Sequence, residues 1–123
     1  MTTRSCAGVL VVEDDADILR AVVQVLEDEG IAVQAAENGR TALAALRAPG
    51  ASRPCLILLD LMMPVMDGWA FRAEQLRDPA LSDIPVIVLT ADANAAARMN
   101  GAGALRKPVE LLTLLDAIQP FVS

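Results

Sequence analysis

Residues 55 to 68 read Cys-Leu-Ile-Leu-Leu-Asp-Leu-Met-Met-Pro-Val-Met-Asp-Gly, and Asp60 follows an unbroken apolar run. A short continuous run of this kind is typical of a parallel strand that is covered by helices on both faces. Asp60 then stands at the carboxyl end of that strand, where open α/β sheets bind their ligands. The run therefore predicts a central strand that delivers a carboxylate to a site.

Four further apolar runs flank this strand, two before it and two after it: Gly8 to Glu13, Ile31 to Ala36, Val86 to Thr90 and Gly103 to Lys107. Most of the segments between the runs have helical spacing and end at Gly or Pro. The predicted helices run from Asp15 or Asp17 to Gly30, from Gly39 to Arg47, from Asp67 to Arg77, over a short alanine-rich stretch from Asp92 to Asn100, and after Pro108. This alternation predicts one α/β domain over residues 1–123, a three-layer doubly wound five-stranded parallel sheet with a shortened fourth helix.

The composition excludes several classes of function. The net charge is −6 and the ten basic residues are scattered, so direct nucleic-acid binding is not expected. The chain has no His, which excludes His-based acid/base catalysis and His-ligated zinc. No apolar run is long enough for a membrane span and the N-terminus does not resemble a signal peptide, so we expect a cytoplasmic protein. Cys6 and Cys55 match no metal or redox spacing and are predicted to be free thiols.

Polar side chains end four of the five predicted strands. The first ends in Glu13-Asp14-Asp15, the third in Asp60, the fourth in Thr90 and the fifth in Lys107. Carboxylates about 4 Å apart repel by roughly 4 kcal/mol per pair at an effective dielectric near 20. Either one carboxyl is protonated or a cation lies among them, and an all-oxygen ligand set favours Mg²⁺. Because Mg²⁺ is usually bound with phosphate oxygens, the pattern indicates phosphoryl chemistry with an Asp nucleophile.

Four stretches together resemble the signature of bacterial two-component response-regulator receiver domains: Val11 to Asp15, Leu58 to Gly68, Val88 to Ala91, and Lys107-Pro108. The resemblance covers the chain from the first strand to the last helix. It implies the flavodoxin-like fold of single-domain, CheY-like receivers, with strand order 2-1-3-4-5. It also implies a phosphoprotein of a phosphorelay, which accepts a phosphoryl group from a partner phosphohistidine and signals by a change of conformation.

The same resemblance implies a role for each matching residue. Asp60 would be the phosphoacceptor, and Glu13, Asp14, Asp60 and the Met62 carbonyl would bind Mg²⁺, directly or through water. The Thr90 hydroxyl, the Ala91 N–H and Lys107 would contact phosphoryl oxygens, which suits a transition state whose charge lies on those oxygens. Pro108 would follow a cis peptide bond that aims Lys107 at the site.

For several other residues, the sequence allows both a structural and a functional interpretation. Asp15 is favoured as a helix cap over a metal ligand, while Asp92 either caps the short helix or faces the phosphoryl group. Trp69 is favoured as packing over a substrate platform. Ala104 stands where many receivers have a switching Tyr or Phe, so we expect signalling through ordering of residues 92–103 instead of an aromatic rotamer.

Three rival functions are weighed. A phosphatase of the haloacid dehalogenase type needs a general acid two residues after its Asp nucleophile, and Met62 cannot act as one. Dinucleotide binding needs a glycine-rich first turn, which Glu13-Asp14-Asp15 is not. A docking module that is never phosphorylated remains as the alternative.

We expect a signalling domain with no enzymatic turnover beyond its own phosphorylation and dephosphorylation. Its expected partners are a sensor histidine kinase or histidine phosphotransfer protein, and a downstream protein target for which the last helix is the favoured surface. No membrane partner is expected. The sequence ends soon after the last helix, so output is expected through another protein, unless the chain is cut from a longer one.

Overall fold

The computed structural model describes residues 6–92, 94, 98–99 and 103–122. Within these residues, the elements follow one another in the order β1 (Val9–Val12), α1 (Ala16–Asp28), β2 (Val33–Ala36), α2 (Gly39–Arg47), β3 (Leu56–Asp60), α3 (Gly68–Arg77), β4 (Val86–Thr90), β5 (Gly103–Arg106) and α4 (Leu111–Val122). All neighbouring strands pair in parallel, and the sheet order is β2-β1-β3-β4-β5. The predicted fold class is confirmed. The predicted short helix from Asp92 to Asn100 lies mostly outside the described residues.

Side chains that alternate along the buried strands build one core on each face of the sheet. In β3, Ile57 and Leu59 belong to one core, and Leu56 and Leu58 belong to the other. The first core is closed by α2 and α3 and the second by α1 and α4, through Ala42, Leu43 and Phe71 on one side and Val22, Leu26, Leu114 and Ile118 on the other. Burial on both faces explains why this strand is apolar at consecutive positions.

Side-chain caps fix the amino ends of three helices. Asp15 accepts hydrogen bonds from the backbone N–H groups of Asp17 and Ile18 at 2.9 and 3.2 Å, which confirms its predicted role as the cap of α1. Asn38 caps α2, and Asp67 caps α3. These caps satisfy N–H groups that have no partner inside the helix, and so they set where each helix begins.

The two cysteines form a disulfide between Cys6 and Cys55, so the prediction of free thiols is wrong. Their sequence separation of 49 gives no sign of this proximity. Because β1 lies next to β3, with Val9 opposite Leu56, the pairing brings the two Cα atoms to 4.9 Å, within the range for a disulfide. Cys55 donates its backbone N–H to the Gly8 carbonyl at 2.8 Å, which continues the pairing beyond β1.

In the part of the chain that the structure describes, no helix combines the length and the apolar character that crossing a bilayer requires.

Candidate functional site

Sheet register brings the predicted site residues to one edge. Val12 lies opposite Leu59, so Glu13 follows β1 beside Asp60 at the end of β3. Lys107 donates its backbone N–H to the Thr90 carbonyl at 2.9 Å, which places the ends of β4 and β5 together. A cleft of about 380 Å³ opens there, and its lining includes every residue that the sequence assigned to the site: Glu13, Asp14, Asp60, Met62, Thr90, Ala91 and Lys107, together with Asp15, Ile18 and Asp92.

Three carboxylates converge in this cleft. Glu13, Asp14 and Asp60 each offer one oxygen, and these oxygens lie within 4.8 Å of one another. Glu13 and Asp60 are buried, whereas Asp14 is exposed. The set contains only oxygen donors and is open to solvent on one side, which suits a hard cation that keeps some of its water.

The Lys107 ammonium lies between two of these carboxylates. Its Nζ atom is 2.7 Å from Glu13 Oε1 and 3.2 Å from Asp60 Oδ1. Burial lowers the pKa of Lys107, but the hydrogen bond to Glu13 and the charge of Asp60 outweigh burial and raise it above its ordinary value. The Lys107–Pro108 peptide bond is cis, as the resemblance implies. Lys107 is therefore a fixed positive charge beside Asp60.

Glu13 is the most perturbed acid of the cleft. Burial raises the pKa of Glu13 to about 7, even though the hydrogen bond from Lys107 opposes the rise. The hydrogen bond with Asp60 and the negative charge of Asp60 also contribute to this rise. Removing a carboxylate from water disfavours its charged form. The site therefore holds more negative charge than Lys107 alone balances.

Thr90 and Asp92 belong to the lining of the cleft. Thr90 is buried, and its hydroxyl oxygen accepts the Asp92 backbone N–H at 3.1 Å. Asp92 Oδ1 in turn accepts the Asn94 backbone N–H at 2.9 Å, which is a capping contact, although Asp92 also lines the cleft. Both interpretations of Asp92 therefore remain.

The loop after β3 approaches Asp60 closely. The Met62 side chain is 76% exposed, while its backbone N–H lies 3.4 Å from Asp60 Oδ1. At the end of the loop, Gly68 donates its N–H to the Leu61 carbonyl at 2.9 Å, and a Cβ atom there would lie 2.5 Å from the Asp60 carbonyl oxygen. Only glycine allows this approach.

Two contacts were not predicted from the sequence, and one of them is in the cleft. Ile18 of α1 lines the cleft, although its helical spacing indicated only a core position. Trp69 is half-buried against the core of α2 and α3, as expected of packing, but the Arg98 guanidinium also lies 5.9 Å from its ring centroid. No local pattern connects residues so far apart in the sequence.

Comparisons with known proteins agree with this geometry. The family model described as "Response regulator receiver domain" matches residues 9–119. Among solved structures, the chemotaxis protein CheY4 of Vibrio cholerae superimposes with a TM-score of 0.83 at 30% identity, covering 95% of this chain and 99% of that one.

Curated relatives differ in length. Protein PilH of Pseudomonas aeruginosa is 32% identical over 91% of this chain and 94% of its own length. Response regulator MprA of Mycolicibacterium vanbaalenii is 38% identical over 87% of this chain, which spans only 46% of that protein. The fold, the cleft at the strand ends and these matches agree, and the chain belongs to the response regulator receiver domain family of two-component signalling.

Proposed function

We propose that this protein is a phosphoacceptor that takes a phosphoryl group onto Asp60 in a Mg²⁺-dependent reaction and signals by the conformational change that follows. The observation that carries the proposal is the placement of Asp60 in one cleft with the Lys107 ammonium, which lies 3.2 Å from Asp60 Oδ1, and with the Glu13 and Asp14 carboxylates.

The donor in this proposal is a phosphohistidine of a sensor kinase or a histidine phosphotransfer protein, since this chain has no His. An Asp60 carboxylate oxygen attacks phosphorus, the bond from phosphorus to the donor imidazole breaks, and the imidazole leaves with a proton from solvent. Lys107, the Thr90 hydroxyl and the Ala91 N–H are the groups that line the cleft and donate to phosphoryl oxygens. Charge on those oxygens is what the transfer must stabilise. The exchange takes place in the cytoplasm.

Mg²⁺ fits the donor set of the cleft. Three carboxylates face one another with a single ammonium among them, and the pKa of Glu13 shows that the metal-free site disfavours its full charge. Bound there by Glu13, Asp14, Asp60 and the Met62 carbonyl, the ion would supply positive charge to the transferring group. No turnover on other substrates is proposed.

Phosphorylation of Asp60 is tested by incubation with acetyl phosphate and Mg²⁺, read by intact mass. The wild-type chain is expected to gain one phosphoryl group, and Asp60→Asn is expected to gain none because the nucleophilic oxygen is lost while the shape is kept. Asp116→Asn, an exposed change in α4, is the matched control and is expected to behave as wild type. If the wild-type chain gains no phosphoryl mass, the protein is instead a docking module.

Metal binding is tested by thermal unfolding with and without Mg²⁺. A ligand that binds only the folded state raises the melting temperature. We expect this rise in the wild-type chain and its loss in the double variant Glu13→Gln, Asp14→Asn. The control is Glu27→Gln, Asp28→Asn, which removes the same two charges from the exposed side of α1. An equal rise in all three proteins would place the metal elsewhere.

A further inference from the structure

The loop from Leu61 to Gly68 contains a strained residue. Val65 has a φ of 68°, and it is the non-glycine residue with positive φ within the described part of the chain. Positive φ is unfavourable for a β-branched side chain, and such strain persists only where the surroundings hold it. The Val65 side chain is 73% exposed, so its own packing does not hold it.

Backbone hydrogen bonds on either side keep this turn closed. Met66 donates its N–H to the Pro64 carbonyl at 2.7 Å across Val65, which makes a γ-turn with positive central φ, a rare and strained form. The Met66 carbonyl then accepts the N–H of Gly39, the first residue of α2, at 3.0 Å. The strained turn is thus tied to α2 by Gly39.

Only glycine fits at position 39 in this arrangement. A Cβ atom there would lie 2.8 Å from Met66 Cγ and 2.9 Å from the Met66 carbonyl oxygen. The side chain can rotate away, but the backbone oxygen can move only if the turn itself moves. An alanine at this position would therefore push the turn away from α2.

The same loop carries the Met62 carbonyl. Since the Met62 side chain is exposed, the position of its backbone depends on the long contact of its N–H with Asp60 Oδ1 and on the two ends of the loop. Gly68 fixes one side through the Leu61 carbonyl, and Gly39 fixes the other through the Met66 carbonyl. We propose that Gly39 is a positioning residue for metal binding, because it holds the Val65 turn closed and so keeps Met62, whose carbonyl is a proposed metal ligand, in place at the cleft. This inference rests on the proposed metal site.

The test compares Mg²⁺ affinity with metal-free stability in the full chain, by titration calorimetry and thermal unfolding. Gly39→Ala is expected to weaken Mg²⁺ binding about 10-fold, the lower end of the range for groups that support metal ligands. Val65→Gly alone is expected to raise the melting temperature by removing strain, with Mg²⁺ affinity close to that of the wild type.

The double variant gives the decisive comparison. Once alanine loosens the turn, the backbone preference of Val65 drives the loop open, so Val65→Gly is expected to recover most of the Mg²⁺ affinity that Gly39→Ala loses. Neighbouring substitutions that act on one element are non-additive in this way. If Gly39 served only general stability, relieving the strain at Val65 would not restore the Mg²⁺ affinity of Gly39→Ala.

Gly50→Ala is the control for a strained glycine substitution without a steric clash, because Gly50 has a φ of 77° and a Cβ atom there would meet open space. It is expected to lower stability and leave Mg²⁺ affinity unchanged. If Gly39→Ala does not fold, Asn38→Ala loosens the same helix end by removing its cap, and it should show the same rescue by Val65→Gly.

If the wild-type chain does not bind Mg²⁺, the proposed metal site itself is contradicted. If wild type and Gly39→Ala bind Mg²⁺ with equal affinity, or if the double variant shows no rescue, only the proposed role of Gly39 is overturned and the metal site stands.

Discussion

Lys107 is the only lysine of the chain, and it contacts two acids that come from different strands. In the metal-free protein it supplies the positive charge that keeps Glu13 and Asp60 buried together. Removing one partner of a buried ion pair leaves an uncompensated charge. This loss of stability is larger than the stability that an exposed ion pair contributes. At the scale of single residues, Lys107 therefore contributes to stability as well as to the proposed chemistry.

This role predicts a metal-dependent effect of Lys107→Met. The methionine keeps the length of the side chain but not its charge, so the free energy of unfolding should fall by about 2 kcal/mol without metal, a value reduced for the partial exposure of the lysine. Mildly alkaline buffer keeps Glu13 ionised in the wild-type chain, where its pKa is about 7 with Lys107 in place. Saturating Mg²⁺ should shrink the difference, because the ion replaces the lost charge.

Arg106→Met is the control for this measurement, because Arg106 is the preceding residue and is exposed. It should change stability little in either condition. A loss for Lys107→Met that is equal with and without Mg²⁺ would show that the lysine acts by packing alone.

Asp92 permits a second prediction at this scale. If its carboxylate orients water near the phosphoryl group, Asp92→Ala should change the lifetime of phosphorylated Asp60, followed by intact mass over time, more than it changes the melting temperature. If the contact with the Asn94 N–H at 2.9 Å is its main role, stability should change more than lifetime. Asp67→Ala, which removes the cap of α3, provides the reference for the loss of a cap.

At the scale of elements, local sequence explains the helices better than the strands. The segment Gly39–Arg47 is helical as predicted, because Asn38 caps its start and Pro49-Gly50 prevents its continuation. In contrast, β2 begins at Val33 although the apolar run begins at Ile31. A strand extends only as far as its neighbour offers hydrogen bonds, and β2 pairs with β1 from Val9 onward. Strand ends are therefore fixed by pairing partners that local sequence does not specify.

The link from α3 to β4 depends on a polar residue that the sequence analysis did not single out. Gln75 is fully buried, and its Nε2 donates to the carbonyls of Leu81 and Ile84 at 2.9 and 3.0 Å. Its Oε1 accepts a hydrogen bond from Arg72 at 2.8 Å. One side chain thus satisfies backbone groups that would otherwise be buried without partners.

Gln75→Met should destabilise the protein strongly for this reason. The methionine has a similar volume but cannot donate, and leaving buried carbonyls unsatisfied should lower the free energy of unfolding by about 3 kcal/mol. Urea unfolding followed by circular dichroism gives the value. Gln24→Met, at an exposed position of α1, should have almost no effect. If both variants lose the same stability, the buried hydrogen bonds are not the cause.

Across the whole molecule, the pairing of Cys6 with Cys55 is the feature that the sequence predicted wrongly. The strand-end residues could be assigned to one site because all parallel strands end at the same edge of the sheet. Cys6 and Cys55 lie near the amino ends of β1 and β3, at the edge of the sheet away from the site. Only the register between these two strands reveals that the cysteines meet. The ion pair between Glu13 and Lys107 likewise depends on how distant strands are arranged, so local sequence does not predict it.

The disulfide predicts that stability depends on redox conditions. A bond across 49 residues should stabilise the folded state by about 4 kcal/mol, mainly by restricting the unfolded chain. Reductant should therefore lower the melting temperature of the wild-type chain to that of Cys6→Ser, which should itself not respond to reductant. Equal melting temperatures of oxidised wild type and Cys6→Ser would contradict the prediction. In a reducing cytoplasm, the reduced and less stable form of the protein would be the functional one.

The same bond makes the first part of the chain a covalent ring that contains β1, α1, β2 and α2. If the two termini were pulled apart, tension would pass from Cys6 directly to Cys55 and then along β3, bypassing the ring. The oxidised chain would then extend about 170 Å less than the reduced one, from 49 residues at the reach of an extended backbone. Asp60 lies on the stretched path, whereas Glu13 and Asp14 lie inside the shielded ring. The proposed phosphoacceptor and two of its proposed metal ligands therefore belong to mechanically separate parts of one site.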